Sequence, residues 1–234
     1  MSTEPAPLPP SPLDTWPPSW SPAAVVFDCD GLLVDTEGQW VQVQDAYLAR
    51  HGTALDPTVR RALTGRAAEV VVLTIAEAVG RAPEEVVRDL LAEHRRHLED
   101  ELTPLPGALD TVRAAADRVP VAIASNSPRE MLDRKLAGLG LTDLVDASIA
   151  IEDVAAPKPA PDMYLAAARA LGAEPADCLG LEDSETGAQA AVAAGLQLIA
   201  VPSIPGQEPL APRRLDSLAD PALAAWISTW EVRR

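Results

Sequence analysis

Basic side chains are scarce in this 234-residue chain: 19 Lys and Arg stand against 35 Asp and Glu, a formal charge of −16. That balance excludes broad association with nucleic acid or an anionic membrane, because neutralising rows of phosphates takes a basic surface. Small anions remain admissible ligands wherever a bound cation, a placed lysine or a helix N-terminus makes a local exception to the acidic field. Cysteine is nearly absent. Cys29 and Cys178 both lie in apolar, strand-like stretches, where a reduced thiol acts as a small buried hydrophobe, so a disulfide framework is not expected. No apolar run approaches the roughly 20 residues that span a bilayer, and no basic segment leads into an apolar one near the start. Neither anchor nor signal peptide is expected, and the chain is read as cytoplasmic and monomeric. Internal repeats are lacking, as are a Walker-type loop, a GxGxxG fingerprint and an HExxH pair, which removes the main support for ATPase, dehydrogenase and zinc-protease readings.

Proline is plentiful but uneven. The first 22 residues, MSTEPAPLPPSPLDTWPPSWSP, hold eight prolines, which remove backbone donors and favour extended conformations. A disordered arm over residues 1–22 is therefore expected, with no role assigned to Trp16 or Trp20. From Ala23 the pattern changes. AAVVFDCDG, VPVAIASNS and CLGLEDS are apolar runs ending in polar residues, and the last two are followed by the helical stretches PREMLDRKLAGLG and ETGAQAAVAAG. Strands alternating with helices predict a doubly wound parallel sheet whose ligand site lies at the carboxyl ends of its strands. Ser127 is placed to cap the second helix, with Pro128 at its first position and Glu130 completing a capping box. About seventy residues without a strand pattern intervene after the first run. They read as four helices, with Gly52, Gly65 and Gly80 as C-terminal stops and TPLPG at 103–107 as a stiff return. With 47 % apolar residues the chain can bury a core and a small satellite. The expected division is an α/β core over 23–36 and 106–234, interrupted by an α-helical cap over 37–105.

FDCDG puts Asp28 and Asp30 two positions apart at a strand end, pointing the same way if the strand continues. Aspartates also start turns, and this spacing alone does not choose. GLEDS brings Glu182 and Asp183 to the same edge, and carboxylates so crowded repel one another unless a cation binds them. Oxygen ligands suit a hard ion, magnesium above all when phosphate and water complete an octahedron. Lys158 is held between prolines in VAAPKPAPDMY, which argues that its charge is placed. His94 and His97 lie among charges and read as solvated surface.

FDCDGLLVDTE, ASNS, the lysine of PKPAPDMY and GLEDS, in this order over roughly residues 24–201, resemble the four motifs of the haloacid dehalogenase (HAD) superfamily. More narrowly they resemble the helical-cap branch that holds sugar phosphatases, phosphoglycolate phosphatases and β-phosphoglucomutase. The resemblance implies a phosphatase with Mg²⁺ as cofactor, acting on a small phosphorylated metabolite through an aspartyl phosphate. It makes Asp28 the nucleophile and Asp30 the acid and base. Asp28, the main-chain oxygen of Asp30, Glu182 and Asp183 would hold the metal; Ser125, the amide at Asn126 and Lys158 would hold the phosphoryl group. Glu37, Trp40 and the Gly65-Arg66 loop are the candidates for substrate selection, since DTExxW is similar to the pattern of hexose-phosphate phosphatases. A phosphosugar mutase is the alternative. Trp40 and Ala68 stand where the mutase pattern has histidine and arginine, which counts against it. A non-catalytic binding protein on the same fold is a third reading, opposed by the presence of both Asp28 and Asp30.

Overall fold

The computed structural model of the chain describes residues 10–63, 68–100, 102–203 and 207–232. Six strands, β1 (Ala24–Phe27), β2 (Val121–Ala124), β3 (Ala147–Ile149), β4 (Cys178–Glu182), β5 (Gln197–Ala200) and β6 (Arg213–Arg214), form one parallel sheet in the order β3-β2-β1-β4-β5-β6. Every residue of β1, β2 and β4 is buried, which is why these strands read as unbroken apolar runs. β3, β5 and β6 fall outside the sequence reading. They are short, and β5 opens on a glutamine and β6 consists of two arginines.

The pleat sends successive residues to opposite faces. Val25 and Phe27 of β1 join Val121, Ile123, Leu179 and Leu181 in one cluster under α5 (Ala108–Ala116), α6 (Arg129–Gly138) and α9 (Pro221–Ser228). Ala24 and Val26 join Ala122 and Ala124 in a second cluster under α7 (Asp162–Ala170) and α8 (Glu185–Ala194). The sheet is thus covered on both sides, as a doubly wound fold requires. Both cysteines are buried and unpaired by disulfide. Among the described residues no helix is long and apolar enough to cross a membrane.

Between β1 and α5 come α1 (Thr36–Arg50), α2 (Pro57–Leu63), α3 (Ala68–Val79) and α4 (Pro83–Asp100). They enclose a third cluster, including Val43, Tyr47, Leu48, Ile75, Val86 and Leu90. Gly52 and Gly80 follow α1 and α3 at φ of +72° and +66°, the left-handed stop that glycine adopts without strain; Gly65 lies outside the described residues. The segments entering and leaving these helices run side by side. Leu105 N–H donates to Leu33 O and Asp35 N–H to Thr103 O, each at 3.0 Å, around an antiparallel bridge between Val34 and Pro104.

Two local expectations are corrected. α6 begins at Arg129 with Pro128 at its cap position and no side-chain cap bond; the Ser127 hydroxyl instead donates to Asp30 and accepts from Lys135, both at 2.8 Å. A cap bond is worth about 1 kcal/mol, less than bonds to charged groups are. The second correction concerns the proline-rich segment. Residues 1–9 lie outside the described residues, but residues 10–22 are packed on the sheet edge and α9 rather than disordered. Leu13 is fully buried in a 3₁₀ turn, Pro12–Asp14, closed by a Ser11–Asp14 capping box. Ser11 Oγ donates to Gln197 Oε1 (2.7 Å), Arg213 Nη2 to Leu13 O (3.1 Å) and Trp226 Nε1 to Trp20 O (2.9 Å). The rings of Trp16 and Trp20 lie 5.4 and 6.3 Å from that of Trp226, which meets Trp230 at 4.9 Å. Proline forbids helix and ladder bonds but not burial of the side chains around it.

Leu13→Ala is expected to cost roughly 2–5 kcal/mol, and deletion of residues 1–22 at least as much. With about 2–4 °C per kcal/mol for a chain of this size, both changes should lower the thermal midpoint by at least about 4 °C in calorimetry. An unchanged midpoint after the deletion would show that the segment contributes no net burial.

Candidate active site

The carboxyl ends of β1, β2 and β4 lie next to one another where the strand order reverses, the place at which open α/β sheets bind ligands. Asp28 follows β1 directly and stays in register through its N–H to Leu181 O (2.9 Å). Gly31 turns the chain at φ +80°, and a Cβ there would overlap the Asp183 carboxylate; glycine thus permits both the turn and the close approach. Ser125 follows β2, its N–H on Ile149 O (3.0 Å). Glu182 ends β4 and Asp183 follows it. Asp28, Ser125, Lys158, Glu182 and Asp183 are all buried.

Lys158, in the loop after β3, places Nζ between Asp28 Oδ1 and Glu182 Oε1, at 2.6 Å from each, and donates to Ala124 O (2.9 Å). The Tyr164 hydroxyl, at 3.3 Å, is a fourth and weaker acceptor around its three protons. The Tyr164 hydroxyl donates to the same Glu182 oxygen (2.8 Å), and the Tyr164 ring faces the ammonium at 4.8 Å. Asn126 clamps the lysine backbone: its Oδ1 accepts from Lys158 N–H (3.0 Å) and its Nδ2 donates to Lys158 O (3.2 Å). Glu182 Oε2 accepts from the N–H groups of Asp183 and Ser184 and from Ser184 Oγ. Asp183 Oδ2 accepts from Ser203 Oγ at 2.6 Å.

Asp30 has different surroundings. Its Oδ2 accepts from the hydroxyls of Ser125 and Ser127, each at 2.8 Å, and its Oδ1 pairs with Lys135 Nζ. The two aspartates are driven apart in acidity. Burial pushes Asp28 well above the usual carboxylate range; Lys158 opposes this, and the charges of Glu182, Asp183 and Asp30 add to it. Burial also acts on Asp30, but the charge and hydrogen bond of Lys135, with Ser127 and Ser125, outweigh it and leave the carboxyl lowered. Asp183 is raised to about 7, by burial first and by Glu182, against the Ser203 bond. Burial alone would lower Lys158, yet Asp28 and Glu182 hold it well above its ordinary value.

Four carboxylates share this region with two lysines, so the cluster lacks positive charge. Asp28, Glu182 and Asp183 each present an oxygen within 4.8 Å of the others. A buried, oxygen-only set with excess negative charge fits a hard divalent cation.

A cavity of about 250 Å³ opens here, and Asp28, Asp30, Ser125, Asn126, Lys158 and Asp183 are in its wall with Thr36, Thr186 and Ser203. Six of the site residues read from the sequence therefore meet, with Glu182 buried behind them. The selection residues do not join them in the described part. Trp40 packs against the helical cluster and lines a separate apolar cleft with Leu73, Val87 and Leu91; Glu37 is on α1, its side chain outside the described residues, as are Gly65 and Arg66. Sequence reasoning missed Lys135, Ser127, Tyr164 and Ser203. A signal existed for Lys135, since it shares the buried face of α6 with Leu132 and Leu136, a cation on an apolar stripe.

A parallel α/β sheet whose strand ends gather a buried carboxylate, a paired lysine and two further acids defines the class of site. Comparison with known proteins gives the family. The family model described as haloacid dehalogenase-like hydrolase matches residues 22–195. A bifunctional riboflavin kinase/FMN phosphatase of Arabidopsis thaliana is 33 % identical over 211 residues, covering 87 % of this chain; the chain spans about half of that relative, 55 % of its length. A fructose-1-phosphate phosphatase of Escherichia coli is 33 % identical over 181 residues, covering 76 % of this chain and 96 % of the relative. Among solved structures, a HAD family hydrolase of Deinococcus radiodurans with bound phosphate and sodium is 35 % identical at a TM-score of 0.69, with 87 % of this chain and 96 % of that one covered. The chain belongs to the haloacid dehalogenase-like hydrolases.

The raised Asp183 has a measurable consequence. Its folded value of about 7 lies above an unfolded value near 3.9, so the folded state binds the proton more tightly. The stability this contributes is complete below about pH 4 and is lost as pH rises through about 7. In chelator, the unfolding free energy of the wild type measured against Asp183→Asn in urea should fall progressively over that window. A pH-independent difference would refute the shift.

Proposed function

We propose that the protein is a Mg²⁺-dependent phosphatase of small phosphorylated metabolites, with sugar phosphates as the substrate class, acting through a phosphoaspartate at Asp28. One observation carries the reading: two aspartates, two residues apart at the sheet edge, lie in opposite electrostatic settings, Asp28 beside Lys158 and the acids of β4, Asp30 beside Lys135 and two serines. Two carboxylates so differently surrounded can do different work: a divalent cation among Asp28, Glu182 and Asp183 would hold Asp28 ionised as the nucleophile against its burial, and a phosphate dianion bound beside Asp30 favours its protonated form as the acid.

Asp28 attacks phosphorus and the ester P–O bond breaks, while Asp30 passes a proton to the leaving oxygen. Asp30 then takes a proton from the water that attacks the phosphoaspartate, which frees inorganic phosphate and restores Asp28. Ser125, the main-chain amide at Asn126 and the Lys158 ammonium hold the phosphoryl oxygens. Asp28, Asp183 and the main-chain oxygen of Asp30 would hold Mg²⁺, with Glu182 adding charge. Bound there, the ion would offset the repulsion between nucleophile and phosphate dianion and would stabilise charge on the equatorial oxygens. Hydrolysis is favoured over transfer to a second sugar hydroxyl because Trp40 and Ala68 replace the cationic groups of the mutase pattern. The similarity to a fructose-1-phosphate phosphatase along nearly its whole length supports the substrate class.

Phosphate release from a panel of fructose 1-phosphate, β-glucose 1-phosphate, glucose 6-phosphate and glycerol 3-phosphate tests the reading. Turnover should vanish in chelator and return with Mg²⁺, while Ca²⁺, which accepts looser and higher coordination, should support little. Asp28→Asn should be folded and inactive. Isomerisation of β-glucose 1-phosphate to glucose 6-phosphate, stimulated by the 1,6-bisphosphate, would replace the phosphatase reading with the mutase one.

A further inference from the structure

Lys135 belongs to none of the strand-end motifs, yet its side chain is only 2 % exposed. Burying an ammonium is costly unless it is paired, and an apolar side chain would complete the stripe of Leu132 and Leu136 on α6 without that cost. Packing therefore does not require a cation here. What the cation adds is direction. Lys135 Nζ donates to Asp30 Oδ1 and, at 2.8 Å, to Ser127 Oγ; Ser127 Oγ donates to Asp30 Oδ2, also at 2.8 Å. The lysine, the serine and the carboxylate form a closed ring that fixes both the position and the plane of the Asp30 carboxylate. Ser125 Oγ is the remaining donor, 2.8 Å from Oδ2. It is also the hydroxyl assigned to the phosphoryl group. When Ser125 turns to a phosphoryl oxygen, the ring through Lys135 is what still holds Asp30.

We propose that Lys135 is the positioning residue of Asp30, keeping its carboxylate where it serves first the leaving oxygen and then the attacking water. The inference rests on the phosphatase reading above. In the first step, with Asp30 protonated beside the bound phosphate dianion, the Asp28 carboxylate oxygen bonds to phosphorus, the ester P–O bond breaks, and the leaving oxygen takes the Asp30 proton. A sugar alkoxide needs that proton, whereas p-nitrophenolate departs without it. Because kcat/KM contains only the steps up to departure of the leaving group, the two kinds of ester separate an effect on Asp30 from a general loss of structure.

The experiment compares kcat/KM of the wild type, Lys135→Met and Lys135→Arg on the fastest sugar phosphate of the panel and on p-nitrophenyl phosphate. Lys135→Met should lose about 10²-fold or more on the sugar phosphate, the scale of a general-acid contribution, and less than about tenfold on the aryl ester. Lys135→Arg, which keeps charge and donors, should recover at least about tenfold of the loss. Equal losses on the two esters, or none, overturn the proposal. Should Lys135→Met fail to fold, Asp30→Asn with Lys135→Met leaves no unpaired charge in the ring. On p-nitrophenyl phosphate the double variant should match Asp30→Asn alone, and a further drop of about tenfold overturns the proposal. A wild type that hydrolyses none of the panel removes the phosphatase reading and this role together.

Discussion

The site depends on one ion cluster. Lys158 bridges Asp28 and Glu182 at 2.6 Å from each, and all three side chains are buried. Three strands converge on that ammonium: Asp28 extends β1, Ala124 O closes β2 and Glu182 ends β4. Without the lysine, carboxylates from two adjacent strands would face each other with no nearby counter-charge, an arrangement that costs several kcal/mol when buried. The surrounding devices maintain it. Asn126 grips the lysine backbone, Tyr164 shares an oxygen of Glu182, and Ser184 and two main-chain amides hold the other.

A second lysine pairs with Asp30 as Lys158 pairs with Asp28, within the same turn after β1. The two aspartates are separated by Cys29 alone, which is buried and inert, its thiol raised by burial. Two cations delivered by two different elements keep neighbouring carboxylates chemically distinct over a single intervening residue. The parallel sheet makes this possible by presenting three loop ends at one edge, so that residues over 150 positions apart in sequence become neighbours.

The parts of the molecule legible in the sequence are those where chemistry and strand pattern coincide. Asp28, Ser125, Lys158 and Asp183 each stand at or near the end of an apolar run or between prolines, and they meet in one cavity. β3 and β6 were illegible because three- and two-residue strands of mixed polarity carry no periodic signal; their existence follows from neighbours already in place. The Ser127 cap failed for a related reason: cap propensity is local, and the competing partners, Asp30 and Lys135, arrive only with the tertiary fold. The proline-rich segment misled because composition reports what a backbone can bond, whereas Leu13, Trp16 and Trp20 are placed by what their side chains can cover.

That segment has an optical consequence. Of the chain's five tryptophans, Trp16, Trp20, Trp226 and Trp230 form one assembly with neighbouring ring centres 4.9 to 6.3 Å apart, and Trp40 belongs to the inserted helices. Four of the five indoles are therefore gathered at the junction of the N-terminal segment and α9. Intrinsic fluorescence is thereby weighted towards the seating of residues 10–22 on the sheet edge, whereas no indole lines the wall of the carboxylate cavity among the described residues.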